Sequence, residues 1–329
     1  MFDLDQLERA HEVVVAAMPP TSAHDWPLLS QRLGASVVVK HENHTPTGAF
    51  KVRGGLTYVD RLRRAHPGVA GLISATRGNH GQSLAFAGHR YGVPVTIYVP
   101  SGNSVEKNRA MRAFGATLVE HGEDFQEARE EAYRRAETLG LHMVPSFHPD
   151  LVLGVATYAL ELFRHAPDLD VLYVPIGQGS GICGCIMARD LLGLTTEIVG
   201  VQSAAAPSYA LSFAAGTVVN TNSADTQADG LATRSPDADA LAIIRKGASR
   251  IVQVSDDEIA AAICIYWTDT HNLAEGAGAA PLAAALQEKA RLRGKRVGLV
   301  LSGGNIDFDL FRTWVMPEAV SAPHHGEIV

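Results

Sequence analysis

The sequence predicts an α/β fold in which helices cover both faces of a parallel sheet. Two observations carry this expectation. Short β-branched or aliphatic runs recur along the chain, and amphipathic segments of helical length lie between them. A third observation concerns glycine. Several of the 31 glycines among 329 residues are bunched directly behind the apolar runs.

The runs span residues 36–40, 71–74, 95–99, 117–120, 171–175, 198–201, 251–254 and 296–301. Most are nearly all apolar, as expected of strands buried on both faces. Residues 124–139 read as a helix with an acidic first turn and Arg134 and Arg135 further on. Residues 256–269 read as another, opened by a Ser255 cap with Glu258 three residues later. The longest uncharged stretch, 198–224, contains Gln202, Pro207, Asn220 and Asn222, so it reads as strand, turn and helix rather than a membrane span. Residues 321–329 read as a frayed tail.

Composition narrows the function. Hydrophobic residues make up 46 % and charged residues 19 %, which excludes disorder and a collagen-like chain. The net charge of −7, without a basic run, argues against a nucleic-acid or membrane-surface partner. Cys183, Cys185 and Cys264 make no disulfide framework, which points to a reducing, cytoplasmic setting. Residues 1–10 hold several charges and no apolar run, so no signal peptide is expected.

The glycine clusters are Gly78-Asn79-His80-Gly81, Gly177-Gln178-Gly179-Ser180-Gly181 and Gly303-Gly304-Asn305. Ligands of open α/β sheets bind beyond the carboxyl ends of strands, so three such loops can line one crevice. Any one of them alone also reads as a plain turn. The loop 177–184 precedes a helix expected through 186–192, an arrangement that suits a phosphate. Gly179 to Gly184 matches G-x-G-x-x-G, but the following strand ends in Gln202 rather than an acidic residue, which favours phosphate over a dinucleotide. Lys51 stands at the start of a helix between Phe50 and Val52. The helix dipole and the apolar neighbours suit a neutral, nucleophilic amine; a solvated lysine is the plainer alternative.

Together, Pro46-Thr47-Gly48-Ala49-Phe50-Lys51-Val52-Arg53-Gly54, Gly78-Asn79-His80-Gly81-Gln82, the 177–181 loop and Ser302-Gly303-Gly304-Asn305 resemble the serine/threonine dehydratases. These are pyridoxal-phosphate enzymes of the tryptophan-synthase-β fold type (fold type II), which includes serine racemase-like members. The resemblance runs from about residue 20 to 311. It implies two open, twisted, mostly parallel sheets. A small mobile domain, residues 71–147, would be inserted in a large cofactor-binding domain, residues 1–70 and 148–329. It also implies a homodimer.

The resemblance assigns roles as well. Lys51 would be the Schiff-base lysine and the base for the α-proton, with Phe50 beside the ring. Asn79 would meet the ring hydroxyl and Ser302 the pyridine nitrogen. The amides of Gly177, Gln178, Gly179, Ser180 and Gly181 would hold the phosphate. The backbone of Thr76, Gly78, Asn79 and His80 would clamp the substrate carboxylate. The implied reaction is loss of water and ammonia from a β-hydroxy L-amino acid, giving a 2-oxo acid. Threonine and serine are the default substrates, and phenylserine or 3-hydroxyaspartate the bulkier or acidic alternatives.

Several positions depart from the family: Ala49 stands where serine is common, Gln178 and Ser180 interrupt the glycine loop, and Arg77 and the cation positions differ more tellingly. Arg77 replaces the serine that serves racemase-like members as a second base, and a guanidinium stays protonated. Arg77 is then free to pair with a substrate carboxylate, stack on an aromatic substrate or face solvent. The family's divalent-cation positions correspond to Gln202, Ala206 and Ser208. Without a carboxylate, a monovalent ion such as potassium, or none, is expected. An NAD-dependent oxidoreductase would leave Lys51 and the Asn79-His80 loop without a role. A binding protein that has lost the chemistry would not need Lys51, Asn79 and Ser302.

Overall fold

A computed structural model describes residues 1–316. The expected tail at 321–329 lies outside the described residues. The strands are β1 (Ala23–Asp25), β2 (Ser36–His41), β3 (Leu72–Ala75), β4 (Val95–Val99), β5 (Thr117–Glu120), β6 (His142–Met143), β7 (Val171–Pro175), β8 (Glu197–Ser203), β9 (Arg250–Val254) and β10 (Arg296–Leu301). They form two sheets, one of six strands in the order β1-β2-β10-β7-β8-β9 and one of four in the order β5-β4-β3-β6. All pairings are parallel except β1 with β2.

The large sheet is buried on both faces, as its apolar runs imply. In β7, Val171 and Tyr173 face one core, while Leu172 and Val174 face the other. The first core is closed by the helices Pro27–Leu33, Asp256–Thr270 and Gly276–Gln287. The second is closed by Leu4–Val15, Pro149–His165, Ser180–Leu191 and Ala238–Gly247. The Ser255 cap holds, forming a capping box with Glu258, whereas Asp124, read as the first helical residue, is the cap of the helix Phe125–Leu139 and accepts from the amides of Gln126 and Glu127. Among the described residues no helix is long and apolar enough to cross a membrane.

The structure differs from the sequence reading in three further places. β1 and β6 were not expected. β1 is a short edge strand with polar residues, and β6 is two residues long, so neither carries a period. The glycine-rich helix begins at Ser180, inside the stretch expected to be loop. Gly184 lies within that helix, and glycine suits the position because a Cβ there would lie 3.0 Å from the amide nitrogen of Ala156, on the helix packed against it.

The helix Lys51–Ala65 is held from behind by a buried ionic cluster. The Arg53 guanidinium is fully buried and forks onto Glu42 (2.7 and 3.0 Å) and Glu161 (2.7 and 2.8 Å). Lys40 completes the charge balance on Glu161 at 2.5 Å. Burial opposes charge on Arg53, but Glu42 and Glu161 outweigh it and raise its pKa. Burial likewise opposes ionisation of Glu161, yet His11, Arg53 and Lys40 hold its pKa below the usual carboxylate range. The Glu161 contribution to stability is therefore complete above about pH 4.3 and is lost as pH falls toward the lower folded value. Close packing supports the cluster, since a Cβ on Gly154 would sit 2.2 Å from the Arg53 carbonyl oxygen. Arg53→Leu strands the buried Glu42 carboxylate and leaves Glu161 to Lys40 alone among the permanent cations, and it is expected to cost about 3–5 kcal/mol in urea unfolding at pH 7. A loss below about 1 kcal/mol would show that the cluster does not bear on stability.

Candidate active site

One cleft opens between the two sheets. It gathers Phe50 and Lys51, residues 76–80, the loop 177–181 and Ser302, so every residue expected to touch cofactor or substrate lies on its wall.

Lys51 is the first residue of its helix, and the turn before it is stitched to the end of β10. The Phe50 amide donates to the Ser302 carbonyl (3.0 Å) and the Gly304 amide to the Gly48 carbonyl (2.9 Å). Gly48 has φ 67°, and a Cβ there would meet Asn305 Oδ1 at 2.4 Å, so the turn needs glycine. Burial lowers the Lys51 pKa; Glu275 opposes the shift and Lys107 adds to it. The amine is thereby moved toward the neutral, nucleophilic form. Phe50 stands edge-on to Tyr158, ring centroids 6.0 Å apart.

The loop 177–181 ends at the N-terminus of the helix Ser180–Leu191, whose first amides have no acceptor inside the helix. A Cβ on Gly177 would lie 2.3 Å from the Gly230 carbonyl oxygen, and Gly179 has φ 97°. Tyr209 Oη donates to the Gln178 carbonyl (2.9 Å) and accepts from the Asp237 amide (3.1 Å), pinning the loop from below. Tyr158 Oη donates to the Gly181 carbonyl at 3.2 Å.

The segment 76–80 is less uniform than the resemblance implies. The Thr76 amide is used by the Tyr98 carbonyl and the Gly78 amide by Thr76 Oγ1, each at 3.0 Å. The amides of Asn79 and His80 begin the helix Asn79–Tyr91 and are the donors left for an anion. The Asn79 side chain donates to Glu275 Oε1 and accepts from Asn305 Nδ2, both at 2.8 Å. Its second N–H remains for a ligand. His80 is buried, its Nε2 has no partner, and burial followed by repulsion from Lys51 lowers its pKa to about 3. Arg77 is about half exposed (52 %) and lies 3.6 Å from Asp229.

The three cation positions do not form a site by their side chains. Gln202 Oε1 accepts from the Ala210 amide (2.8 Å), leaving its buried amide nitrogen unpartnered. Ser208 Oγ donates to the Thr233 carbonyl (2.6 Å), and Ala206 has no side-chain ligand. No cluster of His, Cys, Asp or Glu suited to a metal occurs among the described residues.

Sequence reasoning missed Lys107, Asp229, Glu275 and Tyr209, and it named Asn305 within a glycine cluster without giving it a role. Burial raises the Glu275 pKa, against the pull of Lys107, Asn79 and Lys51. Burial would lower the Lys107 pKa, but Asp229 and Glu275 outweigh it and keep the amine protonated. The one available signal was Glu275 itself, a lone acid directly before the small-residue run Gly276-Ala277-Gly278.

The donors fit pyridoxal phosphate: a glycine cradle without room for a Cβ at Gly177, a partly buried amine of lowered pKa, and a buried hydroxyl, Ser302, just after β10. Tyr209→Phe removes the loop's lower support. It is expected to weaken pyridoxal-phosphate binding about 5- to 10-fold in titrations of cofactor-free protein. Unchanged affinity would show that the loop is held without it.

Residues 16–303 match the family model described as pyridoxal-phosphate dependent enzyme. The chain is 40 % identical over 280 residues to an L-threonine ammonia-lyase of Geobacter sulfurreducens, covering 84 % of this chain and 69 % of that protein. It is 32 % identical over 313 residues to an L-threo-3-hydroxyaspartate ammonia-lyase of a Pseudomonas species, covering 93 % and 98 %. The processed form of threonine deaminase isoform 2 from Solanum lycopersicum superposes with a TM-score of 0.88 at 29 % identity, over 97 % of this chain and 94 % of that one. With its lysine, its glycine cradle and the match over most of its length, the chain belongs to the pyridoxal-phosphate dependent enzymes.

Proposed function

We propose that the protein is a dehydratase that removes ammonia from a β-hydroxy L-amino acid, leaving a 2-oxo acid. The observation that carries this reading is the partly buried Lys51 amine, moved toward neutrality and facing Ser302, Asn79 and the 177–181 loop in one cleft. The names of the relatives, ammonia-lyases for threonine and for threo-3-hydroxyaspartate, support it.

Pyridoxal phosphate, when bound, supplies the electron sink for the Cα–H bond. The protein supplies orientation and proton transfer. The helix N-terminus at Ser180 and the 177–181 amides hold the phosphate. The amides of Asn79 and His80 hold the substrate carboxylate. Lys51 Nζ accepts the α-proton as the Cβ–O bond breaks and hydroxide leaves with a proton as water. His80, with a pKa of about 3, is neutral and cannot supply that proton. The cationic donors of the cleft are Lys51, protonated by the preceding step, and Lys107, kept protonated by Asp229. The enamine that departs is hydrolysed, so the water lost is regained and ammonia is the net leaving group.

The segment 71–147 acts in this reading as a small mobile domain. Its contacts across the cleft mouth support this: Asn79 with Glu275, Lys107 with Asp229, and Ser104 with Asp307 at 2.6 Å. Closure would exclude water from the reacting centre. A cytoplasmic homodimer completes the reading, supported by three unpaired cysteines, two of them buried, and by the family habit.

A panel of serine, threonine, phenylserine and 3-hydroxyaspartate stereoisomers is expected to yield 2-oxo acid and ammonia from at least one L-isomer. Lys51→Ala is expected to lower that rate at least about 100-fold. Because Arg77 cannot accept a proton, D-serine formation from L-serine is expected to stay at the Lys51→Ala level. A Lys51→Ala enzyme of near-normal rate would overturn the assignment.

A further inference from the structure

We infer that the substrate carries a second carboxylate on its side chain and that Arg77, backed by Lys107, reads it. The inference rests on the dehydratase reading and narrows its substrate class.

Two cations of the segment 71–147 converge on one acid across the cleft. Lys107 Nζ lies 3.1 Å from Asp229 Oδ2, and Arg77 Nη1 lies 3.6 Å from Asp229 Oδ1. One carboxylate thus faces two positive side chains, and the three groups carry a net charge of about +1 at pH 7. Glu275, the next acid of the cleft, is pushed toward its neutral form by burial and lies against Asn79.

The two cations are not equivalent. Lys107 is largely buried and hydrogen-bonded to Asp229, and its stem lies on Gly78, where a Cβ would meet Lys107 Cδ at 2.5 Å. It is a built part of the wall. Arg77 is half exposed, lies beyond hydrogen-bonding distance of Asp229, and makes no hydrogen bond among the described residues. Its planar fork of donors is open at the cleft mouth, one residue before the Gly78-Asn79-His80 segment that begins the carboxylate clamp. A guanidinium in that state fits a carboxylate in two parallel hydrogen bonds. The methyl group of threonine would leave the fork without a partner.

The smallest amino acid with both features is 3-hydroxyaspartate. Its α-carboxylate would take the Asn79 and His80 amides, and its β-carboxylate would take Arg77. Loss of the α-proton and the β-hydroxyl, followed by hydrolysis, converts it to oxaloacetate and ammonia with all atoms accounted for.

The test compares kcat/KM of the holoenzyme for L-threo-3-hydroxyaspartate, followed by oxaloacetate release, with that for L-threonine and L-serine. The dicarboxylate is expected to lead by at least about 10-fold. Arg77→Ala is expected to lower the ratio of dicarboxylate to threonine kcat/KM about 10- to 100-fold, chiefly through KM, with Arg77→Lys recovering part of it. Binding gives a readout independent of turnover. L-Aspartate, which lacks the β-hydroxyl, is expected to bind the wild-type holoenzyme more tightly than L-2-aminobutyrate, and Arg77→Ala to erase the difference. Threonine or serine preferred by the wild type, or ratios unmoved by Arg77→Ala, would overturn the inference and leave the dehydratase reading standing. If no β-hydroxy amino acid released a 2-oxo acid, the dehydratase reading would fail instead, and the aspartate binding comparison would still decide whether Arg77 recognises a carboxylate.

Discussion

The placement of Lys51 depends on an ion that never reaches the cleft. Arg53, two residues along the same helix, is fully buried and spans Glu42 after β2 and Glu161 on the helix Pro149–His165. A guanidinium removed from water is tolerated only when its donors are met, so the three segments are fixed relative to one another. Once they are fixed, the helix start can point in one direction only. The amine two positions earlier then faces the cleft, away from its charged neighbour. The fold keeps a permanent cation behind the helix and a titratable one in front of it. Burial acts on both, but only Arg53 has carboxylates at hydrogen-bonding distance to offset it.

The cleft itself follows from where the sheets end. β2, β3, β7 and β10 all deliver their carboxyl ends to it, and the loops behind them carry the polar groups. Such loops would be free to wander if they were held by their own chain alone. Here each is tied to another. The turn at Gly48 is bonded to Gly304, Asn305 donates to the Thr47 carbonyl and to Asn79, and Asn79 donates to Glu275. Pre-set polar groups of this kind spend little energy on reorganisation when charge moves.

Much of this was legible in the sequence because it is local. Eight strands have apolar runs long enough to declare themselves, and the cap at Ser255 follows from residue type and spacing. The cradle and Lys51 were legible because glycine without room for a Cβ leaves a dense local signature. Lys107 and Asp229 were not, and the bonds of Asn305 to Thr47 and Asn79 were not either. A lysine in the amphipathic helix Val105–Ala113 looks like any solvated lysine until tertiary packing lays its stem on Gly78. Tyr209 has the same problem in another form, since its hydroxyl finds Gln178 and Asp237 only through the fold. The departures of the 76–80 amides were also invisible, because they turn on which acceptor, Thr76 Oγ1 or a ligand, a given N–H meets.

The pairing of β2 with β10 sets an order of events in time. β10 lies at the centre of the large sheet, between β2 from near the start of the chain and β7 from its middle. The four-stranded sheet needs only residues from Leu72 to Met143, a contiguous stretch whose pairings close early. During synthesis the four-stranded sheet can therefore take shape well before the six-stranded one. The turn before Lys51 emerges early, but Phe50 gains its partner Ser302 and Ala49 its partner Gly303 only when β10 has been made. A nascent chain thus carries no completed cleft, and the Lys51 amine does not meet Ser302 across from the 177–181 loop until the sheet is whole.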